Sequence, residues 1–175
     1  TDTPLPPEEP GGKNPPDGAI LDYWLPADAT SVVIEVLDGD LNVVRRYSSD
    51  DVPFRIDPKT VPSPTYWLRE PKTVGTTKGA HRWLWDMRRD PLTVGGGVPM
   101  TAVLRDTPFG ATGPWAPIGT YTVRLTVDGA SVEQPLTLRL DPRVTTSPEG
   151  LTVQSEMLTT TYRILKTVAA WRNEL

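Results

Sequence analysis

The sequence predicts a mostly β protein in which an antiparallel β-sandwich is followed by one C-terminal α-helix. Twenty prolines and fourteen glycines in 175 residues indicate many turns and short strands. Several segments alternate apolar and polar residues with a period of two, which is typical of strands with one buried face. The last segment of the chain instead carries apolar residues at helical spacing.

The composition restricts the classes of function. The net charge is -4, and the 18 basic and 22 acidic residues are interspersed, which argues against a nucleic-acid partner. The lack of cysteine excludes disulfides, thiolate metal sites and a cysteine nucleophile. No apolar run approaches the roughly 18 residues of a membrane-spanning helix, so no membrane span is expected.

The chain divides into a linker, a sandwich and a helix. Residues 1–18 are rich in proline, glycine and charge, which predicts an extended linker and a further domain before it. The predicted sandwich spans residues 19–142, and its strands are rich in β-branched and aromatic residues. These strands are residues 19–25, 31–37, 41–47, 79–88, a short segment at 99–104, and the two arms of a hairpin at 119–140.

The turns and the alternation define the type of sandwich. Asp38-Gly39 and Asp128-Gly129 both predict type I′ hairpin turns. In the segment 79–88 the tryptophans at 83 and 85 alternate with charged residues, so both indoles are expected in the core. About seven short antiparallel strands with such turns predict an immunoglobulin/fibronectin III-like sandwich.

The C-terminal segment 147–175 predicts a helix over residues 148–174. Ser147-Pro148-Glu149 supplies an N-cap, a proline at the first helical position and an acid near the positive end of the helix dipole. One apolar stripe consists of Leu151, Leu158, Tyr162, Leu165 and Ala169. A second stripe, about 115° around the axis, consists of Met157, Ile164, Val168, Trp171 and Leu175.

Two apolar stripes on one helix need two neighbours. We expect the sandwich to cover one stripe, and another copy of the chain or a further helix to cover the second. Met157, Ile164, Val168 and Trp171 are therefore the predicted interaction residues. In the alternative, the helix lies in a groove of the sandwich that buries both stripes.

The sequence holds no complete catalytic or metal-binding motif. His81 is the only histidine, and its place beside Trp83 predicts packing or a backbone hydrogen bond. Asp38-Gly39-Asp40 begins like a calcium loop, but the rest of that loop does not match. Paired carboxylates of the kind that hydrolyse glycosides need a set separation, and surface roles fit the acids here better. We expect no catalytic residue, no metal and no cofactor.

Three aromatic residues lie in proline-containing loops and are candidates for binding: Tyr66, Trp67 and Trp115. Exposed aromatics on a sandwich would suit the stacking of sugar rings, so a carbohydrate-binding module is one alternative. The same residues could instead seal loops onto the sandwich or dock on a neighbouring domain.

Four segments carry a resemblance to a known group of proteins: NPPDGAILDYWLP (14–26), PTYWLREPKTV with GAHRWLWDMR (64–88), GPWAPIGTYTVRLTVDG (113–129) and QPLTLRLDPRVTTS (134–147). Together they resemble the C-terminal region of bacterial sortilin-like proteins, which are built on Asp-box (BNR) β-propellers and often labelled glycosyl hydrolases. The resemblance implies a secreted or periplasmic parent in which this module follows the propeller. The Asp-box motif itself is absent here, so no catalytic residue carries over.

These observations predict a non-catalytic accessory module that mediates domain or protein contacts. Its partner would be the neighbouring β-propeller of a longer parent or a separate protein, with self-association through the helix as a further contact. The alternatives are the carbohydrate-binding module, with a polysaccharide as partner, and a fragment of a glycosyl hydrolase.

Overall fold

The computed structural model describes residues 18–52, 72–91 and 112–174, together with residue 16 and the short pieces 55–59, 61, 64–65, 68–69 and 107–108. Eight strands and one helix lie within these residues. The strands are β1 (Ala19–Leu25), β2 (Val32–Leu37), β3 (Val43–Ser48), β4 (Leu68–Arg69), β5 (Gly79–Trp85), β6 (Thr107–Pro108), β7 (Gly119–Val127) and β8 (Ala130–Leu138). The helix α1 is Pro148–Glu174.

The longer strands form two antiparallel sheets. β1 pairs with β5, and the second sheet has the strand order β3-β2-β7-β8. β4 and β6 form a separate, short parallel pair. The mostly β architecture with two antiparallel sheets and one C-terminal helix is thereby confirmed. The predicted linker 1–18 and the short strand predicted at 99–104 lie outside the described residues, apart from residues 16 and 18.

The core lies between the two antiparallel sheets. Alternate residues of β1 and β5 turn inward and meet the inward residues of β2, β3 and β7, as the period of two requires. Within the described residues, the largest fully buried apolar side chains are Trp85, Leu25, Ile34, Leu37, Val32 and Val36. Trp83 is partly buried and packs edge-on against Tyr47, with 4.9 Å between ring centroids. The prediction that both tryptophans turn into the core is confirmed.

Tyr121 closes one end of the core at the beginning of β7. Its ring meets that of Trp85 edge to face, with 5.4 Å between centroids. Its hydroxyl donates a 2.5 Å hydrogen bond to the main-chain carbonyl of Pro117, four residues earlier. The bond fixes the path by which the chain enters the strand.

One of the two predicted hairpin turns is confirmed and the other is wrong. Asp128 and Gly129 both have positive φ, 48° and 88°, as a type I′ turn requires. Between β2 and β3, Gly39 does not adopt a positive φ, and Leu41 does, at 63°. The Asp38 carboxylate accepts hydrogen bonds from the amides of Asp40 and Asn42, which stabilises a longer connection than a two-residue turn.

The helix α1 begins as the capping residues predict. The hydroxyl of Ser147 accepts a 3.2 Å hydrogen bond from the amide of Gly150. Hydrogen bonds from its own amide and from Ser147 lower the pKa of Glu149. Further along the helix, the hydroxyl of Tyr162 donates a 3.0 Å hydrogen bond to the main-chain carbonyl of Asp90, just after β5. This bond anchors the helix to the end of the sandwich.

Candidate interaction surfaces

Seven large apolar side chains of α1 are exposed, and four of them lie along one side of the helix. We call these four the helix stripe: Met157, Ile164, Val168 and Trp171. Met157 is 66% and Trp171 63% exposed. The side of the helix that contacts the rest of the protein is marked by Tyr162 and by Ala169, which is 6% exposed. Ile164 and Trp171 each follow one of these residues by two positions, so they lie about 200° around the axis, on the opposite side of the helix.

The groove that would bury both predicted stripes is not formed. In the first predicted stripe Tyr162 and Ala169 turn towards the protein, whereas Leu158 and Leu165 are each 39% exposed. The expectation that the sandwich covers this stripe therefore holds only in part. The helix stripe is more exposed than either of these leucines. The alternative in which the sandwich covers both stripes is therefore wrong for the described residues. Leu175, the last member of the second stripe, lies outside them. That the helix stripe binds a partner stays a prediction.

Trp115 lies beside the end of β5 and is covered on one face. The guanidinium carbon of Arg88 stands 3.7 Å from the centroid of the indole, and the two residues also form an isolated antiparallel bridge. Arg88 is held in place because its Nη1 donates a 2.9 Å hydrogen bond to the carbonyl of Gly113. Arg88 therefore covers one face of the indole, whereas the side chain of Trp115 as a whole is 48% exposed and retains an accessible side. The other two predicted aromatics, Tyr66 and Trp67, lie outside the described residues.

A second exposed surface lies on the β1–β5 sheet, on the side away from the core. We call it the outer face, and it consists of three cross-strand pairs: Ile20 with Leu84, Asp22 with Arg82, and Trp24 with Ala80. Trp24 is 63% exposed, and Ile20 and Leu84 are also exposed. A shallow depression of about 480 Å³ is lined by residues 22–24 and 80–82.

The middle pair of the outer face is a two-point ion pair. Nε and Nη2 of Arg82 each donate a 2.8 Å hydrogen bond to a different carboxylate oxygen of Asp22. This hydrogen bonding lowers the pKa of Asp22 and raises that of Arg82. Both side chains are more than half exposed, so the pair contributes little to folding, but it fixes the position of two charged groups on the sheet.

Sequence reasoning did not identify the outer face as a site, although a signal was present. In the segment 79–88, Leu84 breaks the alternation because it falls on the polar side. In β1 the outward positions are Ile20, Asp22 and Trp24, of which two are apolar. Outward apolar residues on adjacent strands share one surface only if the strands pair, and the β1–β5 pairing joins segments nearly sixty residues apart.

The residues considered for chemistry occupy structural positions. The ring of His81 stacks on that of Tyr23, with 4.8 Å between centroids, and its Nε2 lies 2.6 Å from the carbonyl of Thr77. The Asp38 carboxylate is occupied by main-chain amides of its own turn. Among the residues that the structure describes, no group of three or more histidine, aspartate or glutamate side chains lies close enough together to hold a metal ion. Within the same residues, no helix has the length and apolar character needed to cross a bilayer.

Comparison with known proteins identifies no relative. No protein-family model, no curated protein and no solved structure matches the chain. The resemblance to sortilin-like propeller proteins therefore stays a prediction.

Proposed function

We propose that this chain is a non-catalytic accessory module that mediates contacts between domains or proteins through the helix stripe. One observation carries the proposal: Ile164 and Trp171 are exposed on the side of α1 opposite the anchor at Tyr162. The sandwich therefore leaves this apolar surface for another molecule or domain to cover.

The energetics of helices support this assignment. A helix gains most of its stability from packing of an apolar face, and exposed apolar side chains in a row mark an interaction surface. Tryptophan and methionine are enriched in the cores of protein interfaces, and the helix stripe contains both, at Trp171 and Met157. The stripe holds no charged side chain whose desolvation would oppose docking.

We further propose that the sandwich is of the immunoglobulin/fibronectin III-like type. In such sandwiches one sheet places strands C′, C, F and G side by side and the other pairs B with E. The order β3-β2-β7-β8 and the β1–β5 pair agree with this arrangement. The hydrogen bond from Tyr121 to the carbonyl of Pro117, at the beginning of β7, agrees with the tyrosine corner of such domains. Fold alone does not define function, so this assignment supports a modular role without specifying the partner.

The proposed partner is a β-propeller domain of a longer secreted or periplasmic bacterial protein. This part of the proposal rests on the resemblance of the four segments described above to the C-terminal region of sortilin-like proteins. Self-association through the same stripe is the contact expected when that partner is absent, because an uncovered apolar surface favours association.

Light scattering coupled to gel filtration tests the proposal. The wild-type chain is expected to increase in mass as its concentration rises to the high micromolar range. Ile164→Asp combined with Trp171→Asp should make it monomeric, with the melting temperature of the wild type at low concentrations where both chains are monomers. The matched control, Thr152→Asp with Thr159→Asp, adds the same charge to exposed positions away from the stripe and should still associate. A wild-type chain that stays monomeric at high micromolar concentration, with the same mass as both double variants, would overturn the proposal.

A further inference from the structure

The outer face of the β1–β5 sheet differs in chemistry from the helix stripe. Its exposed apolar side chains, Ile20, Leu84 and Trp24, are separated by the charged pair Asp22–Arg82. We propose that this face is an oligosaccharide-binding site in which Trp24 stacks on a sugar ring while Asp22 and Arg82 bind the hydroxyl groups.

Trp24 is positioned to act as a stacking platform. Its side chain is 63% exposed and projects from a regular strand, so the sheet fixes the position of its main chain and Cβ atom. The residue opposite it on β5 is Ala80, whose small side chain leaves room beside the indole. Large, rigid aromatic rings bind flat apolar surfaces with little loss of conformational freedom, and the C–H face of a pyranose is such a surface.

The Asp22–Arg82 pair offers donors and acceptors side by side. The guanidinium uses Nε and Nη2 on the carboxylate, and its Nη1 has no partner among the described residues. The carboxylate oxygens can accept further hydrogen bonds besides those from Arg82. Each hydroxyl of a sugar both donates and accepts a hydrogen bond, so two adjacent hydroxyls match a fixed carboxylate beside a fixed guanidinium.

The spacing on the strand agrees with a single extended ligand. Asp22 and Trp24 are two residues apart on one face, which places their Cβ atoms about 6.5–7 Å apart. One sugar ring with its hydroxyl substituents spans this distance. Ile20 and Leu84 continue the same face beyond the ion pair, so a second ring of the chain would meet an apolar surface there. The shallow, open depression at residues 22–24 and 80–82 suits a ligand that lies along the sheet.

A protein partner fits this face less well than an oligosaccharide does. Docking a protein here would remove water from Asp22 and Arg82, which are both more than half exposed, and desolvation of an ion pair is costly. Sugar hydroxyls replace the water molecules at the charges and leave the pair hydrogen-bonded. The charged pair thus favours a polar ligand, and the exposed indole of Trp24 favours a ligand that also has an apolar face.

Screening the full chain on an array of plant, fungal and bacterial glycans tests the inference, followed by calorimetric titration with the soluble hexasaccharide that binds best. Trp24→Ala and Arg82→Ala are each expected to weaken the affinity at least tenfold, and Trp24→Phe should retain part of it. Arg143→Ala is the matched control, because it removes an exposed two-point pair with Asp141 that lies outside the outer face, and it should bind like the wild type. Melting temperatures establish that the variants are folded.

Two results would overturn the inference. One is a wild-type chain that binds no glycan on the array, and the other is binding that Trp24→Ala leaves unchanged. If Trp24→Ala and Arg82→Ala instead abolish self-association measured by light scattering, the outer face is a protein interface. The test of the helix stripe is independent of these results because it uses different variants and a different measurement.

Discussion

The indole nitrogen of Trp85 donates a 2.9 Å hydrogen bond to the main-chain carbonyl of Arg88, three residues later in the chain. Trp85 is fully buried, so this bond satisfies a donor that water cannot reach. The indole nitrogen of Trp83, on the same strand, is also buried but has no acceptor among the described residues. The two tryptophans therefore fill the same core, but only the indole nitrogen of Trp85 is hydrogen-bonded within the described residues.

This difference predicts that the two tryptophans respond unequally to replacement by phenylalanine. Trp85→Phe loses ring volume and leaves the Arg88 carbonyl without its donor. Trp83→Phe loses similar volume but removes an unsatisfied buried donor, which is favourable. We expect Trp85→Phe to be more destabilising than Trp83→Phe by about 1–3 kcal/mol in urea unfolding.

The control for the tryptophan pair is Trp24→Phe, because Trp24 is largely exposed. Its effect on unfolding is expected to stay within about 0.5 kcal/mol. Equal destabilisation by Trp83→Phe and Trp85→Phe would contradict the assigned hydrogen bonding, and a large effect of Trp24→Phe would contradict the assignment of the outer face to solvent.

The strands and the helix were predictable because their residues agree locally with the final structure. β1 and α1 have the bounds that alternation and capping predict, Ala19–Leu25 and Pro148–Glu174. Asp128-Gly129 forms the predicted turn because both residues tolerate a positive φ. Asp38-Gly39 has the same composition, but its aspartate side chain hydrogen-bonds the amides of its own loop and stabilises a different turn.

The outer face was not predictable from the sequence for a different reason. It depends on the register that places Trp24 opposite Ala80 and Asp22 opposite Arg82. Strand pairing across such a long connection is determined by the packing of both sheets around Trp85 and Leu25 rather than by a local pattern. The helix stripe, in contrast, follows from helical periodicity within one segment.

The irregular turn between β2 and β3 yields a second prediction. Leu41 has a φ of 63°, a left-handed conformation that costs a residue with a Cβ roughly 1–2 kcal/mol. Its side chain is largely exposed, so little packing is lost on truncation. Leu41→Gly should therefore raise the free energy of unfolding by about 0.5–1 kcal/mol, measured by urea denaturation.

Leu41→Ala separates the two contributions to this effect. It removes the exposed side chain but keeps the Cβ, so the backbone strain remains and no stabilisation is expected. Stabilisation by alanine equal to that by glycine would show that the side chain, and not the backbone conformation, is unfavourable at this position.

Tyr47 predicts how stability changes at alkaline pH. Burial raises the pKa of Tyr47 from its ordinary value of 10.0 to about 12, with the nearby Arg45 opposing the shift. Below about pH 10 the phenol is neutral in both the folded and the unfolded chain, and it contributes no pH dependence. Between about pH 10 and 12 the unfolded chain loses this proton while the folded chain keeps it, so stability falls as the pH rises.

The measurement is the free energy of unfolding in urea at steps from pH 8 to 12. The wild type should lose roughly 2–3 kcal/mol more than Tyr47→Phe across the alkaline window, because the variant has no proton to lose at this site. Burial also raises the pKa values of Tyr23, Tyr121 and Tyr162, so a smaller decline should persist in the variant.

Tyr23→Phe is the matched control and should reduce the decline less than Tyr47→Phe, since Tyr23 is less deeply buried. If Tyr47→Phe follows the wild-type curve throughout, Tyr47 ionises in the folded protein near its ordinary pKa, and its packing against Trp83 is looser than the 4.9 Å between their ring centroids implies.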